Sequence, residues 1–456
     1  MMSLELFGDR KFYRDLFTLA FPIILQNLFR SLVTTLTTIM IGKLGTVEIA
    51  AAALGNQIFF MFDIFIFGIC SGGSIFSAQF WGRGDVPGIR KNLGFCISLT
   101  LSVAFLYTLT TLLFPGKLIS IYSRDEEVIE AGTVYLSALS FSFIPYSISL
   151  AFTLSLRSVE RVRIAIVLTT IALSLNVVLN YLFILGPGPI PAMGVKGAAM
   201  ATVISRIVET LILVSVTYIK KYPQAGSFRE LFSFNRYYAR QFFRVTLPVM
   251  IDETLWSLGV TIQNLIYART NTDAIAAFNI ASTVYNLTWV LFIGIGHGLA
   301  ILIGKKIGEN NEKIAREYAS RSVRFTPLLS LGAALILMLL SRFLPFFFNV
   351  NTETLLFASR MLIVYSICYP FRAFNNTMII GICRAGGDTV FGVFYELAVM
   401  WLIALPLAAL TAFILKAPVM IIFICIMLEH PLKAIIGIWR FKSGKWLHNV
   451  VEKIGI

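Results

Sequence analysis

Residues 22–90 and 248–316 are one segment written twice, in register and without a gap. Pro22 falls on Pro248, Ser31 on Ser257, and Ile49-Ala50-Ala51 on Ile275-Ala276-Ala277. Gly68, Gly72 and Gly82 fall on Gly294, Gly298 and Gly308, and Arg90 falls on Arg316. Both copies are strongly apolar, so the duplicated unit is a bundle of membrane helices.

Composition agrees. With 57% hydrophobic residues, only 14% charged ones and a mean hydropathy of +0.81, the chain is not an ordinary soluble protein. Apolar runs long enough to cross ~30 Å of hydrocarbon recur along it. Twelve are expected, near 16–42, 47–79, 93–121, 128–156, 163–186, 194–220, 243–268, 274–304, 325–349, 354–384, 388–414 and 417–441. The fold class is therefore an all-α integral membrane protein with two six-helix bundles. The expected division is 1–221, a cytoplasmic connector at 222–242, and 243–456. An even number of spans per copy inserts both copies the same way up, with their pseudo-two-fold axis along the membrane normal.

The net charge of +14 tempts a nucleic-acid reading, but its placement argues otherwise. Assigned alternately from an inner start, the inner loops hold most of the 38 Lys and Arg residues, among them Arg83, Arg90, Lys91, Arg157, Arg161, Lys305 and Lys306. That is the positive-inside bias of a multi-pass cell-membrane protein with both termini cytoplasmic. The opening stretch, MMSLELFGDRKFYRD, is too mixed in charge for a cleaved signal sequence. Cys70, Cys96, Cys368, Cys383 and Cys425 form no CxxC and read as small packing residues. His297, His430 and His448 lack ligand spacing, so no metal cluster and no cofactor is expected. The absence of GxxxxGK[ST] argues against ATP, and a monomer is expected. Pro22 and Pro248 stand symmetrically inside spans, where they either kink a helix or mark a bending point.

Ionisable residues within spans carry the functional signal, because each costs roughly 2.5–3.5 kcal/mol on insertion scales unless paired or hydrated. Arg30, Asp63, Glu209, Glu253, Arg372 and Glu429 count to mid-span. Glu396 lies a third of the way into the eleventh span, and Asp388 begins it. Arg206 with Glu209, and Glu429 with Lys433, have the i,i+3 and i,i+4 spacing of self-neutralised helices. Arg30 and Asp63 sit at similar depth on consecutive antiparallel spans. They are expected either to pair, or to leave Arg30 facing a cavity where it tunes substrate charge. Glu253 has no opposite charge within one turn and has Trp256 beside it; Asp252 should point about 100° away round the helix. Glu253 is thus placed to load and release a proton, or to hold Na⁺ with neighbouring oxygens. The competing reading is a structural bridge to Arg372.

The chain also resembles the multidrug and toxic compound extrusion (MATE) family, of bacterial type. The resemblance rests on Pro22 with Gln26-Asn27, Ala50-Ala51-Ala52, Ala78-Gln79-Phe80-Trp81-Gly82 and Gly197-Ala198-Ala199-Met200-Ala201-Thr202. It continues through Arg384-Ala385-Gly386-Gly387-Asp388-Thr389 and Trp401 with Pro406. It implies two bundles around a central cavity, and export of amphipathic, often cationic compounds in exchange for H⁺ or Na⁺. Glu253 matches an acidic residue the family often carries on the seventh span, and Asp388 one after the tenth. Two positions depart from the pattern: Thr37 stands where many members have Asp in the first span, and Asn180 where some have Asp in the fifth.

The main expectation is an antiporter exporting small organic cations. Asp252, Glu253 and Glu396 favour a cation, while Arg30 and Arg372 oppose one. Aromatic residues such as Phe59, Phe60, Tyr146, Trp256, Tyr285, Trp289 and Tyr369 can supply planar apolar contact. The alternative is a flippase for a lipid-linked precursor, which needs a larger, more cationic cavity. An enzyme would need a nucleophile–base pair or a metal cluster at depth, and the sequence offers neither.

Overall fold

A computed structural model describes residues 10–187, 191–270, 272–348, 350–452 and 454. The first nine residues and the last two, which hold the termini expected on the cytoplasmic side, lie outside the described residues. Twelve helices among the described residues are long and apolar enough to cross a membrane. They are α1 (Arg10–Gly42), α2 (Thr46–Arg83), α3 (Val86–Leu113), α4 (Glu126–Ser158), α5 (Val162–Leu185), α6 (Gly194–Ile219), α7 (Arg236–Thr270), α8 (Ile275–Gly308), α9 (Glu312–Leu340), α10 (Thr352–Arg384), α11 (Thr389–Ile414) and α12 (Val419–Ser443). No β-strand occurs among the described residues; one isolated bridge joins Gly387 and Leu447.

The duplication is visible in how helices begin. Asp85 caps α3 by accepting from the Gly88 N–H at 2.8 Å, and Asn311, its counterpart in the second copy, caps α9 through Ile314. Asp125 and Asn351 stand at the same interval and cap α4 and α10. Each supplies a side-chain oxygen to an N–H that the first turn leaves without a partner. The residues before the first pair, Gly84 and Asn310, both take positive φ, 76° and 56°, a backbone state that Gly and Asn tolerate.

The chain divides into two compact units, Leu25–Thr246 in one and Met1–Ile24 with Leu247–Ile456 in the other. The divisions fall inside α1 and α7, next to Pro22 and Pro248. In the unit of Leu25–Thr246, Gly72 of α2 lies against α7, where an added Cβ would meet Thr246 Oγ1 at 2.6 Å. In the other unit, the matching Gly298 of α8 lies against α1, where a Cβ would stand 3.3 Å from Ala20 Cβ, and Gly294 packs on Ile24. Thr246 and Ala20 are themselves counterparts in the repeat. The small-residue steps Gly68-xxx-Gly72 and Gly294-xxx-Gly298 thus give close helix approach.

Residues 222–235 of the polar connector lie within the unit of Leu25–Thr246, and 236–242 already belong to α7. The short helix Phe228–Leu231 opens with a capping box between Ser227 and Glu230. Gly94 of α3 admits the Leu231 carbonyl, and Arg90 reaches Glu230 at 2.6 Å and the Pro223 carbonyl at 3.2 Å. The unit of Leu25–Thr246 is filled by Phe62, Tyr135, Phe143, Tyr146 and Phe152 among others; the second is filled by Tyr267, Tyr285, Tyr365, Tyr369 and Phe423. Three stretches of the second unit, Thr377–Arg384, Met400–Ala404 and Leu410–Ile414, are π-helical, a form that recurs at functional positions.

Candidate functional site

In the unit of Leu25–Thr246, a cavity of about 340 Å³ opens among α1, α2, α4, α5 and α6. Its polar lining includes Arg30, Thr37, Asn56, Asp63, Asn176, Arg206 and Glu209, and its apolar lining Phe59 and Phe60. Arg30 Nη2 lies 3.5 Å from Asp63 Oδ2, the pairing that their matched depth suggested. The bond is long and the Arg30 side chain is 49% exposed. Tyr146, from α4, donates a hydrogen bond to the other oxygen of Asp63. Arg206 reaches Glu209 at 2.7 Å, as the i,i+3 spacing predicts, and its guanidinium also stacks 4.6 Å from the Tyr146 ring centre. Tyr146 therefore links both ion pairs.

Asn180 is buried and donates to Thr37 Oγ1 and Asn176 Oδ1, each at 3.0 Å. The two positions where the family pattern led us to look for acids thus form a neutral hydrogen-bonded pair. Gln26, also buried, accepts a hydrogen bond from Arg157 Nη2.

In the other unit, Asp252 and Glu253 share one partner. Arg384 Nη2 donates to Asp252 Oδ2 at 2.9 Å, and its Nη1 donates to Glu253 Oε1 at 2.7 Å. This corrects two expectations. The bridge from Glu253 to Arg372 is not made, and Asp252 does not face away from its neighbour. The planar guanidinium carries donors along two edges, so two side chains diverging from consecutive residues can converge on it. Glu253 lies midway along α7, Arg236–Thr270, and its partner Arg384 is the last residue of α10.

Arg372 instead stacks on aromatic faces, 4.6 Å from the ring centres of both Tyr285 and Trp289. Lys433, almost fully buried, is 3.0 Å from Glu396 Oε1 and 3.6 Å from Glu429 Oε2. The pairing expected within α12 is therefore the longer of two, and the nearer partner comes from α11. His430 lies beside this group, with Nδ1 3.7 Å from Glu429. Asp388, at the start of α11, is held by Arg440 through two bonds of 2.8 Å. Trp256 is 39% exposed on α7. No group of three or more His, Cys, Asp or Glu side chains among the described residues is arranged to hold a metal ion.

Arg384 was quoted above for its motif alone. The repeat could have found it. Arg157 contacts Gln26, and Gln26 is the counterpart of Asp252; Arg384 lies one residue beyond the counterpart of Arg157. Between them α10 carries the eight-residue π-helical stretch Thr377–Arg384, and a turn closed i to i+5 takes up one more residue than an α turn. Each half therefore sets an arginine against the same position of α1 or α7, with amides Gln26-Asn27 in one copy and carboxylates Asp252-Glu253 in the other.

Charge counting gives the chemistry. Two carboxylates on Arg384 leave one negative charge over, whereas Glu396 and Glu429 face Lys433 with Arg372 also within electrostatic reach of Glu429. Buried charge without a partner is costly, so the Arg384 cluster favours uptake of a cation. Paired membrane bundles with intramembrane ionisable clusters define a polytopic membrane transporter.

The comparisons agree. The MatE family profile matches residues 22–182 and 248–410, the two copies of the repeat, and the chain belongs to that family of MATE transporters. It is 25% identical over 97% of its length to an uncharacterised transporter, YisQ, of Bacillus subtilis, covering 96% of that protein. To a probable multidrug resistance protein, NorM, of Thermotoga maritima it is 23% identical, covering 96% of this chain and 94% of that one. A crystal structure of MATE in the bent conformation superposes with a TM-score of 0.86 at 19% identity, covering 95% of this chain and 96% of that one.

Proposed function

We propose that this chain is a secondary antiporter that exports small amphipathic organic compounds in exchange for H⁺ or Na⁺. The observation that carries the reading is the odd carboxylate at Asp252-Glu253. With one guanidinium between two acids, the cluster is neutral only when it holds a monovalent cation. Loading and release of that cation is then coupled to which side of the membrane the transporter faces. The membership of the family, whose relatives include probable multidrug resistance proteins, supports drug or toxin export. Energy suffices: one charge crossing 100 mV supplies about 2.3 kcal/mol, which at ~1.4 kcal/mol per decade sustains roughly a fortyfold gradient.

In the unit of Leu25–Thr246, the cavity of about 340 Å³ suits a small solute better than the lipid-linked precursor of the alternative reading. The test is reconstitution of the full chain in vesicles with a fluorescent organic solute, imposing an H⁺ gradient and a Na⁺ gradient in turn. Solute movement driven by one of them is expected. Movement that follows neither gradient removes the antiport reading.

A further inference from the structure

We propose that the cavity in the unit of Leu25–Thr246 recognises solutes through a carboxylate or phosphate group, held by Arg30 with Arg157 and Arg206 nearby, and so selects zwitterions or anions over simple cations. This rests on reading that cavity as a solute compartment and refines which solutes enter it.

Three facts support it. First, both carboxylates that line the cavity are already engaged. Asp63 is taken by Arg30 and Tyr146, and Glu209, with only 4% of its side chain exposed, by Arg206. A cationic solute would have to displace an arginine to reach either. Second, donors remain available. The Arg30 side chain is half exposed and engages only Asp63, at a long 3.5 Å, and the Tyr146 hydroxyl, while a guanidinium has five N–H groups. Third, the charge is unbalanced in the direction opposite to that of the other unit. Arg30, Arg157 and Arg206 stand against Asp63 and Glu209, one positive charge over. The excess traces to Gln26, which meets Arg157 with an amide where its counterpart Asp252 meets Arg384 with a carboxylate. The buried Arg157 Nε has no hydrogen-bond partner. Gln26 and Arg30 are one turn apart on α1, so Arg157 stands behind Arg30, outside the cavity lining but within electrostatic reach of its guanidinium. A carboxylate or phosphate at Arg30 accepts two donors from one arginine fork and offsets the surplus charge.

The experiment uses rhodamine 110, which carries a free carboxylate, and rhodamine 123, its methyl ester. Binding to the purified full-length protein is read by fluorescence polarisation. The acid should bind about tenfold more tightly than the ester, as expected for one charge-assisted hydrogen bond. Arg30→Gln should abolish the difference and Arg30→Lys retain part of it. Asp63→Asn, which frees Arg30, should widen it, and this second variant keeps the test open if Arg30→Gln does not fold. Equal binding, stronger binding of the ester, no binding of either dye, or a preference that survives Arg30→Gln would each overturn the proposal. Gradient-driven transport of the ester with no preference for the acid would leave antiport standing and remove only this inference. Preferential binding of the acid without gradient-driven transport would do the reverse.

Discussion

Arg384 donates to Glu253 at 2.7 Å across 131 residues of chain, and the same guanidinium holds Asp252. Arg384 ends α10 and follows a π-helical stretch, so its aim depends on a local winding that helical periodicity does not foresee. Replacing Arg384 by Gln leaves two adjacent carboxylates facing each other with no cation between them. We expect loss of about 3–5 kcal/mol of stability, the scale for breaking a buried pair, read as a lowered midpoint of thermal unfolding in detergent. The double change Asp252→Asn with Arg384→Gln should recover much of it.

The Lys433 cluster follows the same logic. Lys433→Met strands Glu396 and Glu429 together, whereas Glu396→Gln leaves Glu429 and Lys433 as a neutral pair. Thermal unfolding should show the lysine variant far less stable than the glutamine variant. Equal stabilities would mean that Lys433 does not hold both acids.

Exchanging Arg30 and Asp63 should restore only part of the binding and transport lost in either single variant. Tyr146 donates to the Asp63 carboxylate; an arginine placed there is longer and meets the phenol only with the hydroxyl turned to accept, so the original geometry is not recovered. Tyr146→Phe alone should cost about 1.5–3 kcal/mol, the range for a hydrogen bond to a charged group. It should also raise the recovery of the exchanged pair relative to its own background.

Gly94 admits the Leu231 carbonyl, so Gly94→Ala presses a methyl group onto backbone that cannot rotate away. A destabilisation of about 1–3 kcal/mol is expected, together with faster proteolysis of 222–235, since the clash falls on the connector.

The connector also predicts a pH effect. The Ser227 backbone N–H, then the Ser227 hydroxyl and Arg90, hold the Glu230 carboxyl below its ordinary value of 4.5. A carboxylate with a depressed folded-state pKa contributes fully above the unfolded value and loses that contribution as pH falls through the folded one. Amide protection in 227–232, taken relative to the intrinsic exchange rate at each pH, should therefore fall on acidification below about 4.5, and Glu230→Gln should remove the dependence.

The twelve spans, the duplication and the Arg30–Asp63 and Arg206–Glu209 pairs were legible because each depends on spacing or on depth along neighbouring helices. What escaped depends on winding and on contact between distant helices. Glu253 was weighed against its own helix and against Arg372, while its partner Arg384 lies further along α10, past the start of a π-helical stretch. Lys433 appeared satisfied by Glu429 because the i,i+4 spacing is local, while Glu396 approaches from α11. Arg372 appeared to need an acid because sequence spacing does not show two aromatic faces closing around one guanidinium. The contrast between Gln26 and Asp252 was present in the repeat all along, and became readable once the arginine opposite each was placed.

The central claim is that the surplus carboxylate beside Arg384 carries the coupling ion. It is tested most directly in vesicles by following ion flux and solute flux together for the native chain and for Glu253→Gln, which keeps the shape and removes the surplus charge. The account predicts that the variant still binds solute but no longer accumulates it against its gradient under either an H⁺ or a Na⁺ gradient. Undiminished gradient-driven export by Glu253→Gln would contradict it.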